Sequence, residues 1–89
     1  MNYLNLTPEE QALMHSRSNL AAKIHCALQI GYFKAVHFFF RFDWEEVTED
    51  VDFILEQYFP GEVFKPEAIT KHQYYAQCQI IAKHFNYQL

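Results

Sequence analysis

Residues 19–36 read NLAAKIHCALQIGYFKAV, and this stretch decides the fold of the chain. Its apolar residues recur at helical spacing and form two neighbouring stripes. The first stripe comprises Leu20, Ile24, Ala27, Leu28 and Gly31, and the second comprises Cys26, Ile30 and Phe33. A helix that is apolar over so wide an arc is usually the central one of its domain. Gly31 costs about 1 kcal/mol relative to Ala inside a helix, which predicts the close approach of another helix.

Three further helices are predicted around this central one. A first helix over residues 8–16 has a capping box, in which Thr7 is the cap and Glu10 its partner. A third helix is predicted over residues 48–59, followed at once by a Pro-Gly pair that stops it. A fourth is predicted over residues 69–85, where apolar side chains fall on one face.

The aromatic stretch HFFFRFDW at residues 37–44 has the residue types of a strand but no partner strand. We therefore expect the connection over residues 38–44 to be packed inward. An apolar fraction of 51% excludes disorder, and two Gly and three Pro disfavour hairpin-rich β folds. The sequence thus predicts an all-α fold: a single compact domain of about four helices over residues 1–89, a helix-turn-helix-like bundle.

The expected location of the chain is cytoplasmic, in a cell of bacterial type. Two cysteines are too few for a disulfide scaffold. The start MNYLNLTPEE has neither the basic nor the apolar segment of a signal peptide. No apolar run approaches the roughly 20 residues that span a bilayer, so no membrane partner is expected.

Catalytic and metal-binding patterns are weak throughout the chain. His25 and Cys26 are adjacent, and neighbours on a helix point about 100° apart, so they do not form a nucleophile and base. The five histidines lack the short spacings of zinc sites, and two glycines cannot form a phosphate loop. We expect no enzymatic activity, no cofactor and no metal.

Charge is unevenly distributed along the chain. The net charge is −4, and the excess lies in one acidic block: Asp43, Glu45, Glu46, Glu49, Asp50, Asp52 and Glu56. The remaining residues carry seven basic and four acidic side chains, so a surface away from the block can be mildly positive. The fourth helix presents polar side chains that can reach phosphates and base edges. Such an outer face is equally typical of any amphipathic helix.

Four segments in order resemble the amino-terminal domain of replicative transposases of the Tn-three family. They are LTPEEQALM at residues 6–14, NLAAKIHCALQIGYFK at 19–34, VDFILEQYFPGEVF at 51–64 and QCQIIAKHFNYQL at 77–89. The second contains the signature core, Ala-Leu-Gln-Ile at residues 27–30. The family's last helix typically opens with an Arg-rich stretch, whereas this one opens KHQYY at residues 71–75.

The resemblance implies a DNA-binding domain that recognises the terminal inverted repeats of a transposon. It also implies that the chain is the N-terminal fragment of a longer transposase, an excised domain or a decayed remnant. That family's acidic catalytic core lies downstream and has no counterpart here. The implied partners are double-stranded DNA at the transposon ends and the remaining domains of the transposase. The alternative is a helical protein–protein interaction module with an acidic face.

A DNA-binding surface follows by subtraction. The acidic block would repel phosphates, and the apolar stripe of the fourth helix must face the core. The side that remains combines positive charge with side chains able to reach base edges. Its predicted DNA-binding residues are Lys23, Lys34, Arg41, His72, Gln79 and Lys83.

Overall fold

The computed structural model describes residues 3–88, which form four α-helices and no β-strand. The helices are α1 (Pro8–His15), α2 (Leu20–Val36), α3 (Thr48–Tyr58) and α4 (Lys71–His84), with a 3-10 turn at Trp44–Val47 before α3. Met1, Asn2 and Leu89, at the ends of the predicted domain, lie outside the described residues. The predicted all-α fold of about four helices is confirmed. None of the helices in the described range is long and apolar enough to cross a membrane.

Local capping fixes where each helix begins. The Thr7 side chain accepts a hydrogen bond from the Glu10 amide at 3.2 Å, and the Glu10 carboxylate accepts one from the Thr7 amide at 2.9 Å. Asn19 caps α2 by accepting from Ala22 N at 2.9 Å. Thr70 forms a second capping box, so α4 starts two residues later than position 69. Caps satisfy the unpaired amides of the first turn, which sharpens these boundaries.

Helix α2 is central, as its apolar stripes predict. Every residue from 24 to 31 is buried, and α1, α3 and α4 all pack against α2. Helix α4 runs parallel to α2, because Gln77 contacts His25 and, further toward the C-terminal end of both helices, the Phe85 and Phe33 ring centroids lie 5.4 Å apart. The N-termini of α2 and α4 therefore lie at the same end of the bundle.

The close approach expected at Gly31 exists, but it is not made by a helix. A Cβ atom at Gly31 would lie 2.5 Å from Leu4 Cδ2 and 3.1 Å from the Tyr3 carbonyl oxygen. The N-terminal segment at Tyr3 and Leu4 thus crosses α2 at this glycine. The Tyr58 hydroxyl of α3 holds that segment in place: it accepts from Leu6 N at 2.7 Å and donates to Leu4 O at 3.2 Å.

The prediction that residues 38–44 pack inward is wrong in part. Phe38 is 68% exposed and Phe40 is 43% exposed, whereas Phe39, Phe42 and Trp44 are partly buried. An extended segment presents successive side chains to opposite faces, so only some of the aromatics can face the core. The buried Gln29 amide fixes this register, because it bonds both the N–H and the C=O of Phe40.

Candidate nucleic-acid interface

The outward side of α4 carries one continuous polar stripe. It consists of the exposed residues His72, Tyr75, Gln79 and Lys83, which fall within about 80° of one another at 100° per residue. The stripe is about 16 Å long, given a rise of 1.5 Å per residue. No Asp or Glu occurs from residue 68 to residue 88. Of the predicted binding residues, His72, Gln79 and Lys83 are therefore brought onto one face of a helix that has no acidic residue of its own.

Two residues of this surface were missed by the sequence reasoning. Tyr75 is 51% exposed, and the Lys71 ammonium lies 5.9 Å from the centroid of its ring. The spacing of positions 72, 75, 79 and 83 is the signal that could have identified Tyr75.

A buried polar contact fixes α4 against α2. The His25 Nδ1 and Gln77 Oε1 atoms are hydrogen-bonded, and Gln77 Nε2 donates to Ala22 O at 3.1 Å. Since the Gln77 amide group donates to a carbonyl, its oxygen is the acceptor and His25 Nδ1 carries the proton. Burial lowers the pKa of His25, and the hydrogen bond with Gln77 offsets this only in part. A neutral His25 thus helps to position the outer stripe.

The two predicted lysines of α2 lie outside the polar stripe of α4. The Lys34 ammonium forms an ion pair with the buried Glu10 carboxylate at 2.9 Å and also donates to Asn5 O at 3.1 Å. Lys34 therefore lies on the side of α2 that faces α1, with its charge already matched. Lys23 is partly buried in the first turn of α2. The structure does not bring Lys34 together with the α4 residues.

Arg41 stacks on the inner edge of α4, where its guanidinium carbon lies 5.2 Å from the Tyr74 ring centroid. Both residues line a cleft of about 310 Å³ that also includes His25, Asp43 and Glu46. Burial, together with Cys78, raises the pKa of Tyr74 to about 12, so its phenol stays protonated. The carboxylates in this cleft weaken the positive potential that Arg41 contributes.

The acidic block follows the 3-10 turn and α3, and two of its members, Asp43 and Glu46, also line the cleft beside Tyr74 of α4. Asp43 and Glu46 form a capping box at the 3-10 turn, and Asp50 accepts from the Tyr32 hydroxyl at 2.6 Å. Burial and this contact raise the pKa of Tyr32. The other acids are exposed: Glu45, Glu49, Asp52 and Glu56. Helices α3 and α4 both pack against α2 and make little contact with each other.

Metal-binding geometry is not found in residues 3–88, where no three His, Cys, Asp or Glu side chains form a group that could hold an ion. Cys26 and Cys78 are buried free thiols, and burial raises the pKa of Cys26 to about 12. A thiol held protonated in this way is a poor nucleophile.

Comparison with known protein families gives a match over the whole chain. No curated protein and no solved structure matches it. A family model described as a domain of unknown function, DUF4158, matches residues 1–89. Because that match covers the helical bundle from end to end, the chain belongs to the DUF4158 family.

Proposed function

We propose that the chain is the DNA-binding domain of a Tn-three-type transposase, that it recognises the terminal inverted repeats, and that it contacts them through the outer face of α4. The observation that carries the proposal is the acid-free stripe on α4, in a chain whose acids are concentrated elsewhere. The sequence resemblance to the amino-terminal domain of these transposases supports the same function.

The dimensions of α4 suit the major groove of duplex DNA. Its 14 residues give a rod about 21 Å long, and the groove is about 12 Å wide and admits one helix. His72 and Lys83, near the two ends, are positioned to contact phosphates. Gln79 lies between them and can bond the N6 and N7 atoms of adenine, while the Tyr75 ring can contact a thymine methyl group.

Electrostatics give this binding a defined orientation and limited strength. The net charge is −4, so the acidic face of α3 is repelled by phosphates and the α4 side must approach first. Few cations are available, so affinity depends on a small number of phosphate contacts. Binding should weaken steeply as salt rises, because each contact releases condensed counterions.

The proposed role is recognition without catalysis. The catalytic core of such a transposase lies in a downstream part of the longer protein, and the remaining domains are the proposed protein partners. The domain would hold the transposon end while that core performs the strand chemistry, inside the cell where the DNA resides.

The experiment is a fluorescence-anisotropy titration of a labelled terminal inverted-repeat duplex at low salt, with a scrambled duplex for comparison. The variant Gln79→Ala/Lys83→Ala removes one base-reading group and one cation from α4. The control Gln57→Ala/Lys65→Ala removes the same side-chain types from exposed positions elsewhere. We expect the α4 variant to lose at least about tenfold in affinity, since one base contact is worth about 1–3 kcal/mol. Equal affinity of the two variants would contradict the proposal.

A second candidate function is a protein–protein interaction module. It is favoured by the exposed acids of α3 and by Phe38 and Phe40, which are 68% and 43% exposed. Aromatic side chains are enriched at the centres of protein interfaces. If the wild-type chain binds neither duplex in the titration, this becomes the leading function, and the rest of the transposase becomes the first partner to test.

A further inference from the structure

A second cavity, of about 310 Å³, lies where the turn between α1 and α2 meets the first turn of α4. The side chains that matter at its walls are Ser16, Arg17, Ser18, His72 and Gln73. They provide a guanidinium, an imidazole, an amide and the Ser18 hydroxyl, whereas the Ser16 hydroxyl donates to Leu13 O at 2.6 Å and accepts from Arg17. No carboxylate lines the cavity, and such a set of donors is suited to an anion rather than to a cation or an apolar ligand.

Arg17 brings an unmatched positive charge to this cavity. It is partly buried, and its guanidinium contacts the Ser16 hydroxyl from Nε at 3.3 Å and from a terminal nitrogen at 3.2 Å. Among residues 3–88, Lys34 and Glu10 form the one ion pair with an N–O distance within 4 Å. Arg17 therefore has no carboxylate partner among these residues. A planar guanidinium that is held in place and lacks an acid is suited to bidentate contact with phosphate.

Helix geometry adds to the positive potential at the same point. Because α2 and α4 are parallel, both helices begin beside this cavity. Ala22, in the first turn of α2, forms part of its wall, and His72 and Gln73 belong to the first turn of α4. Each helix N-terminus carries about half a positive charge. The two helix ends therefore reinforce the charge of the Arg17 side chain.

We propose that this cavity binds one backbone phosphate of the DNA duplex, with Arg17 as its main ligand. The inference rests on the proposed function and adds an anchoring site to it. His72 belongs both to the cavity and to the outer stripe of α4, so a phosphate held here lies at the N-terminal end of the helix that enters the groove. Such a contact fixes the register of α4 on the duplex without reading sequence.

The test compares three substitutions in duplex titrations at several salt concentrations. Arg17→Gln removes the proposed ligand, and Lys65→Gln removes one charge from an exposed position outside the cavity. Arg17→Lys keeps the charge but loses the bidentate fork. We expect Arg17→Gln to lose about tenfold in affinity at low salt and to lower the salt slope by about one, on inverted-repeat and scrambled duplexes alike. Lys65→Gln should stay within about twofold of wild type, and Arg17→Lys should keep the slope.

Ser18→Asp tests the same phosphate site independently. The variant should fold, because Ser18 is exposed and an acid beside a helix start does not disturb folding. A carboxylate at this rim should weaken duplex binding by at least about tenfold. If Arg17→Gln and Ser18→Asp bind the duplex with the same affinity as Lys65→Gln, the proposed phosphate site is wrong. The proposal that α4 contacts DNA would still hold. A wild-type chain that binds no duplex would overturn both.

Discussion

Replacing Gln77 with Leu should loosen the helix that carries the proposed interface. Gln77 is 2% exposed, and its amide accepts from His25 Nδ1 and donates to Ala22 O at 3.1 Å. Leucine has a similar volume, so the substitution removes the hydrogen bonds without opening a large cavity. A buried donor left unpaired costs about 1–3 kcal/mol, and the lost bond to Ala22 costs about 0.5–1.5 kcal/mol more. We expect a total loss of about 2–4 kcal/mol.

Thermal and urea unfolding followed by circular dichroism measure this loss. For a domain of this size, 1 kcal/mol shifts the Tm by about 4–8 °C, so the Tm should fall by about 8–32 °C. The matched control is Gln79→Leu, the same substitution two residues further along α4 at an exposed position. A surface change of this kind stays within about 0.5 kcal/mol. If Gln77→Leu and Gln79→Leu unfold at the same temperature, the buried contact does not hold α4 on α2.

Two further predictions concern the core of α2. Burial lowers the pKa of His25 in the folded state, so its contribution to stability is complete above the unfolded value of about 6.5 and decreases as the pH falls below it. Between about pH 7.5 and pH 5.5, the free energy of unfolding measured in urea should fall more for wild type than for His25→Phe. An equal fall in the two proteins would exclude this role of His25. Gly31→Val places a Cβ 2.5 Å from Leu4 Cδ2, and overpacking of this kind costs about 1–3 kcal/mol. The control is Ala35→Val, at an exposed position of the same helix. Equal melting temperatures of the two variants would rule out the close crossing at Gly31.

Much of the fold is predictable from local signals. Thr7 and Glu10 mark the start of α1 because a capping box needs only residues three apart. The Pro60–Gly61 pair marks the end of α3 for a similar reason. The N-terminal crossing at Gly31 is not predictable in this way, because the glycine indicates a close contact without indicating which distant segment makes it. The exposure of Phe38 likewise depends on Gln29, which fixes the register of the connection by bonding Phe40, eleven positions further along the chain.

The candidate site was predictable only along a single helix. His72, Gln79 and Lys83 share a face because their spacing follows the helical repeat, and the structure keeps them together. Lys34 was assigned to the same surface by subtraction, as a cation outside the acidic block. Its ion pair with Glu10 depends on how α1 packs against α2, and the subtraction contains no such information. Arg17 was overlooked because its surroundings form only when α4 meets the turn before α2.

The measurement that tests the central proposal most directly is a chemical-shift map of the 89-residue chain titrated with terminal inverted-repeat duplex. We expect the largest amide and side-chain changes at Arg17, His72, Tyr75, Gln79 and Lys83. The exposed acids of α3, such as Asp52 and Glu56, should remain unchanged. Changes confined to α3 and to Phe38 and Phe40, with none along α4, would contradict DNA recognition by the outer face of α4.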